Sequence, residues 1–271
     1  MRLFLAILLS GALLAFAGMA TAEEQPATPN SATTATAADS QTPQPAEAPV
    51  ATGCTPSGFT QVASGYAYTE DAEVLSTQPV SQTDLALTCN KWTFDAFVSA
   101  GLSSKGSFGH RGYADEVDLT VDYNDQARTP IGPVDVEFQA AYWVIADFSN
   151  PRDDIVALHA DFGRAFTLGH ATVTPYVRAT AWLGLGDFGN TFLGSAGVRV
   201  STPIHGRFGF EGNFGYSEDF TDRYGTAYAV FGPTYDLGHG FTLSANVQVI
   251  HAFTSVEEPP VMGILKLTYS R

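Results

Sequence analysis

Six histidines, several acidic clusters and two cysteines are the residues of this 271-residue chain whose types could do chemistry. Acid-base hydrolysis needs a base within hydrogen-bond reach of a nucleophile or of a bound water. Two groupings can be drawn: His251 with Ser255, and His110 with Asp115 and Asp187. Neither carries a motif, because the chain has no HExxH, no GxSxG and no phosphate-cradling glycine loop. The glycine-rich "GDFGNTFLG" joins two strand patterns and opens no helix. His159 falls on the polar side of a strand pattern, and His170, His205 and His239 sit at or beside turns. Asp147, Asp153 and Asp154, and Glu218, Asp219 and Asp222, offer the hard oxygens that suit Ca²⁺. Solvated loop charge explains them equally well, so no catalytic, cofactor or metal residue is assigned.

Cys54 and Cys89 are the only cysteines. In an exported chain an even count implies a disulfide, and neither cysteine lies in a CxxC motif. A bridge between them closes a loop worth on the order of 3 to 4 kcal/mol in the chain-entropy view.

The elements that must position these residues are strands. In "KWTFDAFVSAG" one face carries Trp92, Phe94, Ala96 and Val98, the other Thr93, Asp95 and Ser99. "EVDLTVDY" and "VDVEFQAAYWV" repeat the pattern, and similar segments follow at 155–166, 171–185, 192–202, 208–216, 226–235, 241–253 and 261–271. Alternation of period two marks a sheet with one apolar and one polar face. About ten strands of roughly 10 residues result, a length that crosses a bilayer when tilted. Gly132, Gly169, Gly206 and Gly240 recur in similar turns roughly 35 residues apart, which predicts four hairpin turns at one end. Longer polar connections fall at the other end. Aromatics cluster near both: Tyr142, Trp143, Trp182, Tyr216, Tyr224 and Phe253 toward the loops, and Trp92, Phe208 and Tyr269 toward the turns. Two interfacial belts are the expectation.

Alternation also sends a set of charges to the polar face: Asp95, Asp118, Asp122, Asp135, Glu137, Arg178, Arg199, Glu211 and Lys266. In a narrow lumen an unpaired charge is costly, so the bases are expected to bond carboxylates across strands. The formal net charge of -15 argues against nucleic acid and against a basic lipid-binding patch.

Residues 1–22 pair Arg2 with a short apolar run and end on Ala20-Thr21-Ala22, the pattern of a cleaved secretory signal. Residues 23–53 are rich in Ala, Thr and Pro, too poor in large apolar groups to order, and read as a disordered linker. Residues 54–90 are expected to form a disulfide-bounded periplasmic or plug segment, and 91–271 the barrel.

The last residues, "GILKLTYSR", alternate Leu265, Leu267 and Tyr269 with Lys266, Thr268 and Ser270. In this the chain resembles gram-negative outer-membrane β-barrels, whose final strand carries alternate apolar residues and a terminal aromatic read by the assembly machinery. Here the aromatic is third from the end. "FVSAGLSSKG" with the acidic strand after it looks like the small porins of the TorF type. The resemblance implies an all-β, closed antiparallel up-and-down transmembrane β-barrel of about ten strands, with eight or twelve possible. It implies placement in the outer membrane, an N-terminal arm in the periplasm, and outer-membrane lipid, lipopolysaccharide and the barrel assembly machinery as partners. The expected function is a structural or narrow cation-preferring porin-like channel without cofactor. The alternatives are a lipid-modifying or protease barrel with its site at the loops, or a surface adhesion barrel.

Overall fold

The structure, a computed structural model, describes residues 53–70, 72–102, 115–130, 132–145, 154–186, 189–253 and 261–270. Of the signal and linker segments expected at 1–53, residues 1–52 lie outside the described residues, as do His110, Asp147, Asp153, Asp187 and Ser255. Every regular element among the described residues is a strand: β1 (Thr55–Ala63), β2 (Tyr66–Ala67), β3 (Val74–Ser76), β4 (Val80–Cys89), β5 (Trp92–Gly101), β6 (Glu116–Thr129), β7 (Gly132–Ile145) and β8 (Ile155–Gly163). The series continues with β9 (Phe166–Leu168), β10 (Ala171–Gly184), β11 (Thr191–His205), β12 (Phe208–Asp219), β13 (Gly225–Gly238), β14 (Phe241–Ala252) and β15 (Met262–Ser270).

Twelve of these close an antiparallel ring, in the order β1, β4, β5, β6, β7, β8, β10, β11, β12, β13, β14, β15 and back to β1. The seam joins the first and last strands, with Ser57 opposite Ser270 and Ala63 opposite Ile264. All ten strand patterns found in the sequence are present, and two strands beyond them. The barrel begins at Thr55, not at Lys91: the 54–90 segment supplies ring strands β1 and β4, and among the described residues between them 64–70 and 72–79 leave the wall. The predicted strand at 155–166 is split into β8 and β9. The break falls opposite Pro175, which has no N–H to give, and Arg164 bonds the Pro175 carbonyl there.

Side-chain direction follows the alternation. On β14, Leu243, Val247 and Val249 point outward and are exposed, while Ser244, Asn246 and Gln248 point inward and are buried. Val121, Phe138 and Val247 are 37%, 48% and 39% exposed on the outer surface. In water so large an apolar surface would drive association. Facing hydrocarbon it is the favourable arrangement, and ring closure satisfies the backbone that no lipid could.

The four spaced glycines do lie in turns at one end, with φ between +59° and +109°. Gly240 shows why glycine is needed: its φ is +84°, and a Cβ there would meet the Ser270 carbonyl oxygen at 2.1 Å. The belt at this end is present as the pairs Trp92–Tyr123, Phe208–Tyr235 and Phe241–Tyr269, with ring centroids 5.0, 4.8 and 4.9 Å apart. At the loop end Tyr142 faces out, and Tyr216 packs 6.1 Å from Phe253. Trp143 and Trp182 are corrections: both are buried inside the ring, against Tyr68.

The expected disulfide joins Cys54 to Cys89, with Cα atoms 4.3 Å apart. It ties the turn-end of β1 to that of β4, beside a turn in which Asn90 takes a φ of +59°.

The seam yields a direct test. Oxidation should cross-link a Val62→Cys, Leu265→Cys double variant, because the two residues are register partners. A Phe94→Cys, Leu265→Cys pair should stay reduced. Peptide mass mapping distinguishes the outcomes, and the reverse result would place the seam at β5.

Candidate functional site in the barrel lumen

Residues 64–70 and 72–79 turn into the ring from the loop end as a small hairpin built on β2 and β3. Its tip is tight, with the Tyr68 N–H donating to the Glu73 carbonyl. One flank, with Ala67 and Ala72, packs on Tyr228, Ile250, Ala252 and Met262. On the other, the Tyr68 ring lies 5.3 Å from both Trp143 and Trp182, which are themselves 5.4 Å apart. These two tryptophans therefore clamp the hairpin and do not sit in lipid headgroups. Their parity already said so: Trp143 shares a face with Glu137 and Gln139, and Trp182 with Arg178 and Thr180.

Polar contacts fix the hairpin at two further points. Tyr66 and Tyr68 donate their hydroxyls to the two oxygens of Glu116, at 2.6 and 2.8 Å. Burial first, and then the neighbouring Glu116 charge, hold both phenols well above the ordinary tyrosine range, so they remain donors. Burial likewise raises Glu73 in the hairpin, with Glu116 again adding to the effect. At the tip, Arg178 Nη1 donates to Glu70 Oε1 at 3.0 Å and Thr180 donates to Glu70 Oε2 at 3.2 Å. Thr180 Oγ1 also lies 2.9 Å from His159 Nδ1. Its single proton goes to Glu70, which leaves His159 Nδ1 as the donor in that second bond.

Arg178 is the centre of the larger network. It donates through Nε to Asp161 Oδ2 at 3.0 Å, and Arg199 Nη2 reaches the same oxygen at 2.6 Å. Asp161 stands in register with Glu137 on one side and Arg178 on the other. Two carboxylates directly opposite each other repel, and the two arginines offset that repulsion. Glu211 accepts from Asn246 Nδ2 at 2.7 Å and lies 3.9 Å from Lys266 Nζ.

The remaining expected charges form a different surface. Asp95, Asp118 and Asp122 point inward from β5 and β6, and Asp84 joins them from β4. Gln139 donates to Asp122 at 2.8 Å, and one buried oxygen of Asp118 has no partner. Among the described residues the one basic side chain on β4 to β7 is Arg128, near the turn-end of β6. Asp135 sits near that end too, accepting from Gln126 at 3.0 Å. The lumen thus has an acidic wall on β4–β7 and, across from it, a wall on β10–β15 that carries Arg178, Arg199 and Lys266.

Sequence reasoning missed Glu70, Glu116 and Asp161 as network members. Asp161 and Glu116 were recoverable, since each shares parity with a residue that alternation had already turned inward. Glu70 was not, because "YTEDAE" has no period to read. The groupings drawn for hydrolysis gain no support: His251 lies on the outward face of β14, next to the Phe253 ring. Asp219 has a structural task, accepting the backbone N–H groups of Thr221 and Asp222 in its turn.

No family model matches the chain, and no curated protein matches its sequence. Among solved structures the KdgM porin superposes with a TM-score of 0.50 at 6% identity, covering 80% of this chain and 99% of that one. The COG4313 outer membrane channel from Pseudomonas putida F1 gives 0.49 at 13% identity, over 82% and 97%. The translocator domain of autotransporter NalP from Neisseria meningitidis gives 0.44 at 16%, over 80% and 88%. The KdgM likeness, at 6% identity, shows the fold alone, that of an outer-membrane β-barrel, and the narrower likeness to TorF-type porins rests on sequence alone.

Removing Arg178 leaves Glu70 and Asp161 with a lost partner inside the lumen. Arg178→Met should therefore destabilise the barrel by roughly 3 to 5 kcal/mol. Lys91→Ala, which breaks the exposed pair with Asp125 and the 5.9 Å approach of the ammonium to the Tyr123 ring, should leave stability nearly unchanged. An unboiled barrel stays folded in detergent and migrates differently on a gel from the boiled chain, and the temperature at which that difference is lost measures both; equal shifts would show that the network does not hold the fold.

Proposed function

We propose that this chain is an outer-membrane barrel that acts as a narrow, cation-preferring channel, constricted by its own first loop. The reading is supported by ring size. Eight strands leave an interior filled by side chains and sixteen to eighteen leave an open aqueous channel, so twelve strands lie between the two. It is carried by the acidic wall: Asp84, Asp95, Asp118, Asp122 and Glu137 face the lumen from adjacent strands. The basic groups across from them are engaged by Asp161, Glu70 and Glu211. A pore wall with unmatched carboxylates lowers the barrier for cations and raises it for anions.

In this reading the short turns face the periplasm and the longer connections face outward. The N-terminal arm, after removal of its signal, remains in the periplasm next to Cys54. Lipid and lipopolysaccharide surround the apolar belt, and the barrel assembly machinery receives the chain through β15. The hairpin sets conductance by filling the outer half of the lumen, where its contacts with Trp143, Trp182 and Glu116 lie.

Planar-bilayer recording on the refolded barrel tests this. Small conductance steps with cation preference are expected, and Asp95→Asn with Asp122→Asn should move the reversal potential in a salt gradient toward zero. Shortening the hairpin by deleting residues 68–73 should enlarge the steps. Absence of steps, or anion preference in the unaltered protein, would refute the channel.

A further inference from the structure

Two buried carboxyl groups meet where the hairpin is seated. Glu116, 1% exposed, accepts the hydroxyls of Tyr66 and Tyr68, and Asp118, 9% exposed, lies two residues along the same inward face. Side chains at that spacing are neighbours on a strand. The Asp118 carboxyl is within hydrogen-bonding reach of Glu116, and no donor among the described residues reaches its buried Oδ1.

Among the described residues no base flanks the pair. Opposite Asp118 stand Phe97 on β5 and Trp143 on β7, and Glu116 faces Ser99 on β5. Residues 64–79 contain no Lys, Arg or His. The titratable groups turned toward the pair are Tyr66, Tyr68 and Glu73 from the hairpin, with Asp95 and Asp84 farther along the acidic wall. His159 lies beyond the Trp143 ring, bonded to Thr180, and Asp115 is engaged elsewhere, accepting the Gly101 N–H.

Two carboxyl groups bond to each other only when one of them holds a proton, and two like charges taken out of water side by side repel strongly. With a proton on Asp118 the pair becomes one donor and one acceptor. Glu116 then keeps its charge for three O–H donors, those of the two tyrosines and of Asp118. What covers the pair is the less firmly held side. β6 is laddered to β5 and β7, whereas β2 and β3 form a two-stranded sheet of their own.

We infer that Glu116 and Asp118 form a proton-binding site that locks the hairpin in the lumen: one bound proton seats it, and loss of that proton lifts it to let water reach the second charge. Seating takes up a proton, so it is favoured as pH falls and weakened as pH rises. Glu73 acts in the same sense, since burial and the Glu116 charge raise it in the seated hairpin. Once lifted, the hairpin leaves Asp118 as a further charge on the acidic wall.

Tryptophan quenching reads the lock. In a Trp92→Phe background the remaining tryptophans, Trp143 and Trp182, are the two packed against Tyr68. For the full-length barrel refolded in detergent micelles, their acrylamide quenching constant should rise about twofold or more between about pH 6 and about pH 10. Asp118→Asn and Glu116→Gln each keep the side chain's shape and replace the shared proton by an amide N–H that is not lost. Either variant should keep both tryptophans shielded across that range, with the heat-dependent gel shift as proof of folding. Constant quenching in the Trp92→Phe barrel would overturn the lock. So would a rise that persists in a folded Asp118→Asn or Glu116→Gln barrel, which would assign it to the phenols of Tyr66 and Tyr68. No current is measured, so a barrel that does not conduct can still carry the lock, and a conducting one can lack it.

Discussion

Closure of the backbone ladder governs everything else in this molecule. A strand placed in hydrocarbon cannot leave its N–H and C=O groups unpaired, and a flat sheet always has two edges that do so. Pairing β1 with β15 removes both edges together. Once the ring is closed, strict alternation has only one sense: apolar side chains outward, polar side chains toward the axis. The inward charges follow from that geometry. So does the need to match or hydrate them in an enclosed space.

The lumen answers that need in two ways. On the β10–β15 side the charges are paired tightly, with Asp161 shared by Arg178 and Arg199 and with Glu70 brought in from the hairpin. On the β4–β7 side the carboxylates are relieved by hydroxyls and amides, through Tyr66, Tyr68 and Gln139. The hairpin belongs to both solutions. Its tyrosines serve the acidic wall, and its Glu70 completes the basic one. Large rings also need room inside: Tyr176 and Tyr228 meet through their hydroxyls at 2.7 Å. They lie across Gly197 and Gly215, where a Cβ would approach the ring atoms to 2.8 and 2.4 Å.

Much of this was legible in the sequence, and the gaps have physical causes. The ten later strands announce themselves because one face of each meets lipid. β1 does not, because Phe59 points inward to pack 6.4 Å from Phe97, and Gly58 leaves a gap on the outward side. Without β1, β4 falls within the expected disulfide-bounded periplasmic or plug segment, although Leu85 and Leu87 alternate with Asp84 and Ala86 in it. For Trp143 and Trp182 residue type suggests the headgroup belt, whereas strand parity turns both inward, and parity wins. Glu70, Glu116 and Asp161, which seat the hairpin, are not among the charges that alternation singles out. No periodic signal marks a segment that packs within a barrel and crosses nothing.

The position of the disulfide has a kinetic corollary. The seam contact between Ser64 and Gly263 joins residues 199 positions apart along the chain, whereas the Cys54–Cys89 link spans 35. Closing the longer span costs more chain entropy and is the slower event. The bridge can form while most of the polypeptide is still unstructured. It would give the nascent barrel a cross-linked N-terminal hairpin, already carrying its inner finger, against which the final strand docks.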